Sequence, residues 1–399
     1  MCTKKILIIG AGFLQTFVIK KAKEMGYYVL TVDGDENAPG FTFADEYQVI
    51  DITHQESCLM YAEEKKIDGV LTAATDFGVL TAAFIAKKMS LPGLSFQVAQ
   101  TVKNKYLVRK VFCECEVDDT EQAFEVNANV DWKQLSTELH YPVMVKPCDG
   151  SGSRGASKVS DPSELKDACL NAIQSSVTHK AEIETFIEGK EYGVESFVEE
   201  GKIHVLAVMK KWMTKPPYYA ELGHAIPSGL PKEIEKKIRM CVTNAIQALE
   251  INFGSVNMDV LVTEEGNVHI VDIGARMGGN LIGSHIIPLG TGIDYVANMI
   301  KASVREKTDF TPHEKGKCVV TRLLALTPGI VKKLPDFSGI AEKNQVAIYH
   351  HLQLGNPIHE YHTNLDGCGY IVAVSDDVEE AEQKAESVKQ IVDKEIIRL

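Results

Sequence analysis

Residues Val256 to Gly279 read VNMDVLVTEEGNVHIVDIGARMGG, and the rest of the chain can be laid out around them. Two apolar-rich runs, Val256–Val262 and Val268–Ile273, flank Thr263-Glu264-Glu265-Gly266-Asn267. Gly266 and Asn267 tolerate the positive φ of a tight connection, so the pattern predicts a β-hairpin. Each strand carries one acid among apolar neighbours, Asp259 on the first and Asp272 on the second. A buried carboxylate is costly unless paired or bound to a cation, so two on adjacent strands point to a metal site. An arginine then leaves the second strand into a glycine-rich turn, Gly274-Ala275-Arg276-Met277-Gly278-Gly279. Taken alone, the plainer alternative is a hairpin with one edge acid and one solvated acid.

Composition narrows what such a site could serve. The 399 residues suffice for two or three domains, and 45% hydrophobic with 24% charged content is that of a globular protein. A formal net charge of -13 argues against a nucleic-acid partner, because it leaves no basic stripe to neutralise phosphates. It does not exclude a local positive pocket for a small anion. The nine cysteines are scattered without a C-x-x-C pair, which points to reduced thiols rather than a disulfide framework or zinc site. The opening MCTKKILIIGAG has too short an apolar run for a signal peptide, and no stretch reaches the roughly 20 apolar residues of a membrane span. The expectation is a cytoplasmic protein with no membrane partner.

Upstream, Lys5–Ile9, a helix over Leu14–Met25 and Tyr28–Val32 make a βαβ unit, and the alternation continues through Val79–Lys88. The first ~100 residues therefore predict a small parallel-sheet α/β domain. Gly10-Ala11-Gly12 with Asp33 invites a dinucleotide reading, but Gln15 stands where the third glycine of G-x-G-x-x-G belongs. Nicotinamide or flavin binding is the weaker alternative.

Between the two regions, Tyr141–Pro147 is an apolar strand carrying Lys146, and it runs into Cys148-Asp149-Gly150-Ser151-Gly152-Ser153-Arg154-Gly155. Closely spaced glycines let backbone N–H groups approach phosphate oxygens, and Lys146 and Arg154 add charge. G-x-x-x-x-G-K-[ST] is missing, so this is not a P-loop. Strands are expected at Ala181–Ile187, Glu191–Val198 and His204–Met209, a loop over Thr214–Leu222 and an amphipathic helix over Pro231–Leu249. Val304–Lys317 reads as a linker, followed by strand-rich sequence and a final helix over Asp377–Lys394.

Lysine, glycine loop and acid-bearing hairpin, in this order and separation, resemble the ATP-grasp superfamily, closest to its L-amino-acid (dipeptide) ligase branch. The resemblance covers almost the whole chain. It implies a mixed α/β and α+β multidomain fold: an N-terminal α/β domain (1–104), a nucleotide-binding domain (105–305, with a lid at about 130–190) and a β-rich C-terminal domain (306–399). It implies that Lys105 and Lys146 reach ATP phosphates, and that Ser151, Gly152, Ser153, Arg154 and Gly155 form the lid over them. Glu184, Thr185, Phe186 and Ile187 match the adenine hinge, and Glu191 the ribose-binding acid. Asp259 and Asp272 match the acids that hold Mg2+, for which Mn2+ can substitute. Arg276 matches the arginine that steadies an acyl-phosphate, with Lys146 beside it in catalysis. Glu221 and His224, in an E-x-x-H element, and Gly278, Gly279 and Asn280 fall at the substrate pocket. One departure stands out: the family's second strand reads acid-x-Asn, whereas here it reads Asp272-Ile273-Gly274, which puts the number of metal ions in doubt.

The activity so implied is an ADP-forming ligase joining a small-molecule carboxylate to an amine, with a homodimer allowed. A carboxylase or carbamoyl-phosphate-type enzyme using bicarbonate, and a nucleotide-binding module without catalysis, are the alternatives.

Overall fold

The computed structural model describes residues 3–118, 120, 122–150, 154–216 and 218–399. Four parallel strands, β1 (Lys5–Ile9), β2 (Tyr28–Asp33), β3 (Glu46–Val49) and β4 (Gly69–Thr72), form the first sheet in the order β3-β2-β1-β4. Ile6 to Ile9 are wholly buried, as expected of a strand covered on both faces by crossover helices. The glycine turn after β1 serves the fold: Gly10 takes φ +99°, and Ala11 N–H donates to Asp33 Oδ2 at 2.7 Å. Gln15 fills the position of the third glycine and donates from Nε2 to Ala73 O at 2.6 Å.

A small antiparallel sheet follows, made of β5 (Ala123–Val126), β6 (Val143–Pro147), β7 (Ser157–Val159) and β8 (Ala181–Thr185) in the order β5-β8-β6-β7. Helix Leu165–Ser175 packs Cys169, Ala172 and Ile173 against Val143, Val145 and Ile183.

The large sheet is built on β9 (Lys190–Glu199), β10 (Lys202–Met213), β11 (Glu221–Ile226), β12 (Gly254–Val262) and β13 (Val268–Gly274). It continues through β14 (Cys318–Leu323), then, past the short β15 (Gly329–Lys333), through β16 (Val346–His350) and, past β17 (Pro357–Ile358), through β18 (Gly369–Ser375). The order is β13-β12-β9-β10-β11-β14-β18-β16, so the C-terminal strands extend one continuous sheet. Helix Val378–Glu395, capped by Asp377, buries Ala381, Ala385, Val388 and Val392 against it.

Period-two alternation on β12 sets up the site. Val256, Met258, Val260 and Val262 are buried with Ile238, Val242 and Ile246 of helix Lys232–Ala248. Burying each such side chain contributes roughly 1.5–3 kcal/mol, which fixes the register of the strand. Asn257, Asp259 and Leu261 therefore face the other way, into a cavity. On β13 a bulge breaks the register, because Asp272 opposes Asp259 while Ile270 opposes Val260. The extra residue, Val271, lets Ile270 and Ile273 both bury while Asp272 stays on the cavity side.

Candidate active site

The cavity holds about 1150 Å3 and lies between the loops that follow the first sheet, the small sheet and the polar face of the large one. Lys105 opens helix Lys105–Glu114, whose cap Asn104 accepts from Leu107 N–H at 3.1 Å. Its backbone N–H donates to Cys148 O at 2.7 Å, tying the helix to the strand that carries Lys146. Lys105 Nζ pairs with Asp272, and Lys146 Nζ pairs with Glu184 and donates to Val271 O at 3.2 Å. The bulge thus turns a carbonyl towards the lysine of β6.

Glu184 is shared. Arg109, one helical turn after Lys105, pairs with it at 2.8 Å and with Asp118 at 3.2 Å. Burial alone would raise the Glu184 carboxyl, but Arg109 and Lys146 outweigh it and hold it below the usual range. Its neighbour Glu182 has less compensation: burial, reinforced by the charge of Glu184, pushes it up to about 7. Thr185, Phe186 and Ile187 continue along the cavity wall, and Lys158 Nζ sits 4.1 Å above the Phe186 ring.

A second group centres on Lys211, whose side chain is only 2% exposed. Its Nζ meets Asp259 at 2.8 Å, Glu221 at 2.9 Å and Glu191 at 3.1 Å. One cation cannot fully offset three carboxylates. Asp259 is pushed up to about 7, by burial first and then by Glu221 and Glu191 against the opposing pull of Lys211. Burial would lower the ammonium of Lys211, but the three acids outweigh it and keep it charged.

Arg276 anchors the third group. Its Nε donates to Asp76 Oδ1 at 3.0 Å and its Nη2 to Asp76 Oδ2 at 3.2 Å, a two-point grip. Behind it, the wholly buried Glu195 accepts from Asn257 Nδ2 (3.0 Å), Gly278 N–H (3.2 Å) and Tyr295 OH (2.6 Å). Burial pushes Glu195 up to about 7 despite these donors.

At the far end, Asn280 Nδ2 donates to Glu221, and Tyr370 OH to Asn280 Oδ1 at 3.1 Å. Glu221 N–H donates to Asn364 Oδ1 at 2.9 Å. Glu221 and His224 were expected at or just after a loop through Leu222; both instead lie on β11, and of that loop only 214–216 and 218–220 are irregular among the described residues. His224 is 1% exposed, and burial pushes its imidazole down to about 4, so it is neutral.

Lys105, Lys146, Arg154, Glu184 to Ile187, Glu191, Glu221, His224, Asp259, Asp272, Arg276, Gly279 and Asn280 all line this one cavity. Gly155 and Gly278 stand outside its wall, Gly278 with its N–H turned to Glu195. Ser151, Gly152 and Ser153 lie outside the described residues. Lys211, Arg109, Asp76 and Glu195 were not anticipated. Lys211 had a signal, a lysine inside the apolar run of β10. Asp76 had another, since it follows the C-terminal end of a parallel strand, where open α/β sheets place ligands.

Two opposed carboxylates with Asn257 beside them on β12 form a hard oxygen donor set suited to Mg2+, which keeps several waters and uses only one or two protein acids. Among the described residues no three His, Cys, Asp or Glu side chains converge as a metal cage.

Residues 139–284 match the family model described as ATP-grasp domain. An uncharacterised protein of Sinorhizobium fredii is 24% identical over 77% of this chain, and the match spans only 64% of that relative's length. A D-alanine–D-alanine ligase of Aromatoleum aromaticum is 26% identical over 53% of this chain and 68% of its own. Among solved structures, the L-amino acid ligase from Bacillus licheniformis shares the fold with a TM-score of 0.83, at 22% identity over 98% of both chains. No described helix is long and apolar enough to cross a membrane. Lys146, the opposed acids Asp259 and Asp272, and Arg276 all lie on the segment that matches the ATP-grasp domain model, with Lys105 on its N-terminal flank.

Proposed function

We propose that the chain is an ATP-dependent ligase that activates a substrate carboxylate as an acyl-phosphate and couples it to an amine, that of an amino acid or an amino-acid-like compound. The observation that carries this reading is the direct opposition of Asp259 and Asp272 across the hairpin, with Lys105, Lys146 and Arg276 at the same cavity. A carboxylate oxygen attacks the γ-phosphorus, and the bridging bond breaks with its electrons leaving on ADP. The amine then attacks the acyl carbon, loses a proton, and inorganic phosphate departs.

Phosphoryl transfer leaves the protein little covalent work, so positioning and charge dominate. Lys105 and Lys146 exchange their carboxylate partners for phosphate oxygens when nucleotide enters. Thr185 to Ile187 offer backbone to the adenine, and Glu191 accepts from the ribose hydroxyls. Asp259 and Asp272 would hold Mg2+, or Mn2+ in its place, which supplies Lewis-acid neutralisation of phosphate charge. Arg276 orients the carboxylate and the transferred phosphoryl group. Glu221, Asn280 and Tyr370 form the polar wall that receives the amine-bearing substrate. Gly150 and Arg154 line the cavity, and in this reading they would help exclude water from the acyl-phosphate.

Incubation with Mg-ATP and pooled amino acids, dicarboxylates and bicarbonate tests the reading. ADP released only with particular carboxylate–amine pairs supports it, AMP overturns it, and ADP with bicarbonate alone favours the carboxylase alternative. Asp272→Ala should abolish ADP formation while leaving the circular dichroism spectrum unchanged; unaltered turnover would remove Asp272 from the metal site.

A further inference from the structure

Gly274 stands on β13 where the resemblance leads one to expect asparagine, and its surroundings account for the change. A Cβ added there would lie 3.1 Å from Arg276 Cζ, 3.3 Å from Arg276 Nη2 and 3.2 Å from Asp76 Oδ1. Each distance is tighter than ordinary van der Waals contact, so the Arg276–Asp76 pair occupies the space that a side chain at 274 would need. We propose that Asp76, reaching in from the first sheet, is the positioning residue for Arg276 and takes the place of the side chain missing at Gly274. The inference rests on the role of Arg276 in the proposed ligation.

Three features make Asp76 a fixed arm rather than a casual surface partner. Its loop is stitched to the Arg276 loop: Ala73 bridges Met277 in parallel, and Ala74 N–H donates to Met277 O at 3.1 Å. The same loop is held from behind by Gln15 Nε2 on Ala73 O. The carboxylate also takes both Nε and Nη2, leaving only Nη1 on the Asn257 side, 3.4 Å from its Oδ1. A guanidinium is planar, so gripping one edge fixes the direction in which the other presents its donors. Without Asp76, Arg276 remains close to two other acids that attract it, Glu195 and Asp272. Turning towards Asp272 would bring it onto a proposed metal ligand.

The test is a substitution cycle. Asp76→Ala should lower kcat for ADP formation roughly 100-fold, the scale of loss from a misplacement of about 1 Å. It should change the Kd for Mg2+ with a non-hydrolysable ATP analogue by less than about threefold, under 1 kcal/mol. Gly274→Asp alone should crowd the pair and reduce kcat as well. Combined with Asp76→Ala, the same aspartate enters vacated space beside the guanidinium and should recover about tenfold or more of the lost kcat. With 15N-labelled arginine, a slowly exchanging Arg276 Nε–H in the parent chain should become fast in Asp76→Ala and slow again in the double variant. Asp76→Asn, which keeps the shape of the loop, guards against a folding defect and should also weaken the grip. Unchanged kcat and Nε–H exchange in Asp76→Ala, or no recovery in a folded double variant, overturns the inference. Absence of nucleotide binding and ADP formation in the parent chain instead overturns the ligase reading, and the Nε–H pattern still decides the arrangement at Gly274.

Discussion

Lys211 shows how much of the site depends on one side chain. It is nearly inaccessible, and Glu191, Glu221 and Asp259 all lean on it, their side chains 17%, 18% and 21% exposed. Removing one partner of a buried ion cluster costs more than the cluster contributes, because the remaining charges stay desolvated. Lys211→Met should therefore destabilise the fold by about 3 kcal/mol in urea unfolding at neutral pH. A change below about 1 kcal/mol would mean the three acids find water instead, as exposed pairs do. At this scale the sequence was half legible. Asp259, Asp272, Arg276 and Lys146 announce themselves because each is a charge inside or directly after an apolar strand. Which charge faces which does not follow from spacing: Lys105 and Asp272 lie 167 residues apart, and Asp76 and Arg276 lie 200 apart.

Among elements, legibility followed how cleanly a segment keeps its period. The hairpin strands Gly254–Val262 and Val268–Gly274 lie within two residues of the expected bounds, because one face of β12 is uniformly apolar. No strand was expected at β11, whose first two residues fell in the expected loop. Its pairing with β10 shifts register between Trp212 and Met213, so Leu222 is an extra residue that leaves Glu221 and His224 both on the cavity side, and Gly223 takes φ +151° inside it. β5 was missed because its first three residues are only partly buried, so alternation barely shows. The bulge at Val271 was likewise invisible, since three apolar residues around one acid fit either register. The turn after β13 is just as tightly specified. A Cβ on Gly278 would approach Asn257 Nδ2 at 2.8 Å, Glu195 Oε2 at 2.9 Å and Ile282 Cδ1 at 2.9 Å. Overpacking of this kind costs about 1–3 kcal/mol. Gly278→Ala should lower the urea midpoint accordingly and slow ADP formation through the displaced Arg276 loop. Full activity with unchanged stability would show that the turn yields without disturbing Arg276.

For the molecule as a whole, stability should depend on pH through a junction that no local pattern reveals. His285 sits between three distant parts of the chain. Its ring meets Phe17 edge-on at 4.9 Å, its Nε2 is 2.8 Å from Tyr349 OH on β16, and its Nδ1 is 2.9 Å from Ser284 Oγ. Burial pushes its imidazole down to about 4 from an ordinary value of 6.5. The folded chain therefore binds this proton less readily than the unfolded one. The contribution is fully present above pH 6.5 and is lost as pH falls from 6.5 to about 4. At ~1.4 kcal/mol per unit, the loss is on the order of 3 kcal/mol. His224, also held near 4 by burial, has the same sign. Glu182 and Glu195, both raised to about 7, have the opposite sign and gain stability as pH falls from 7 towards 4.5. The net curve of the parent chain thus mixes both kinds of group, and only a difference between chains isolates one of them. His285→Gln carries no titrating group, so its stability deficit relative to the parent should shrink between pH 7.5 and 4.5 by on the order of 3 kcal/mol. Urea unfolding of both chains across that range measures the difference directly. A deficit constant with pH would mean that His285 keeps its ordinary proton affinity, and that water reaches the junction between Phe17, His285 and Tyr349.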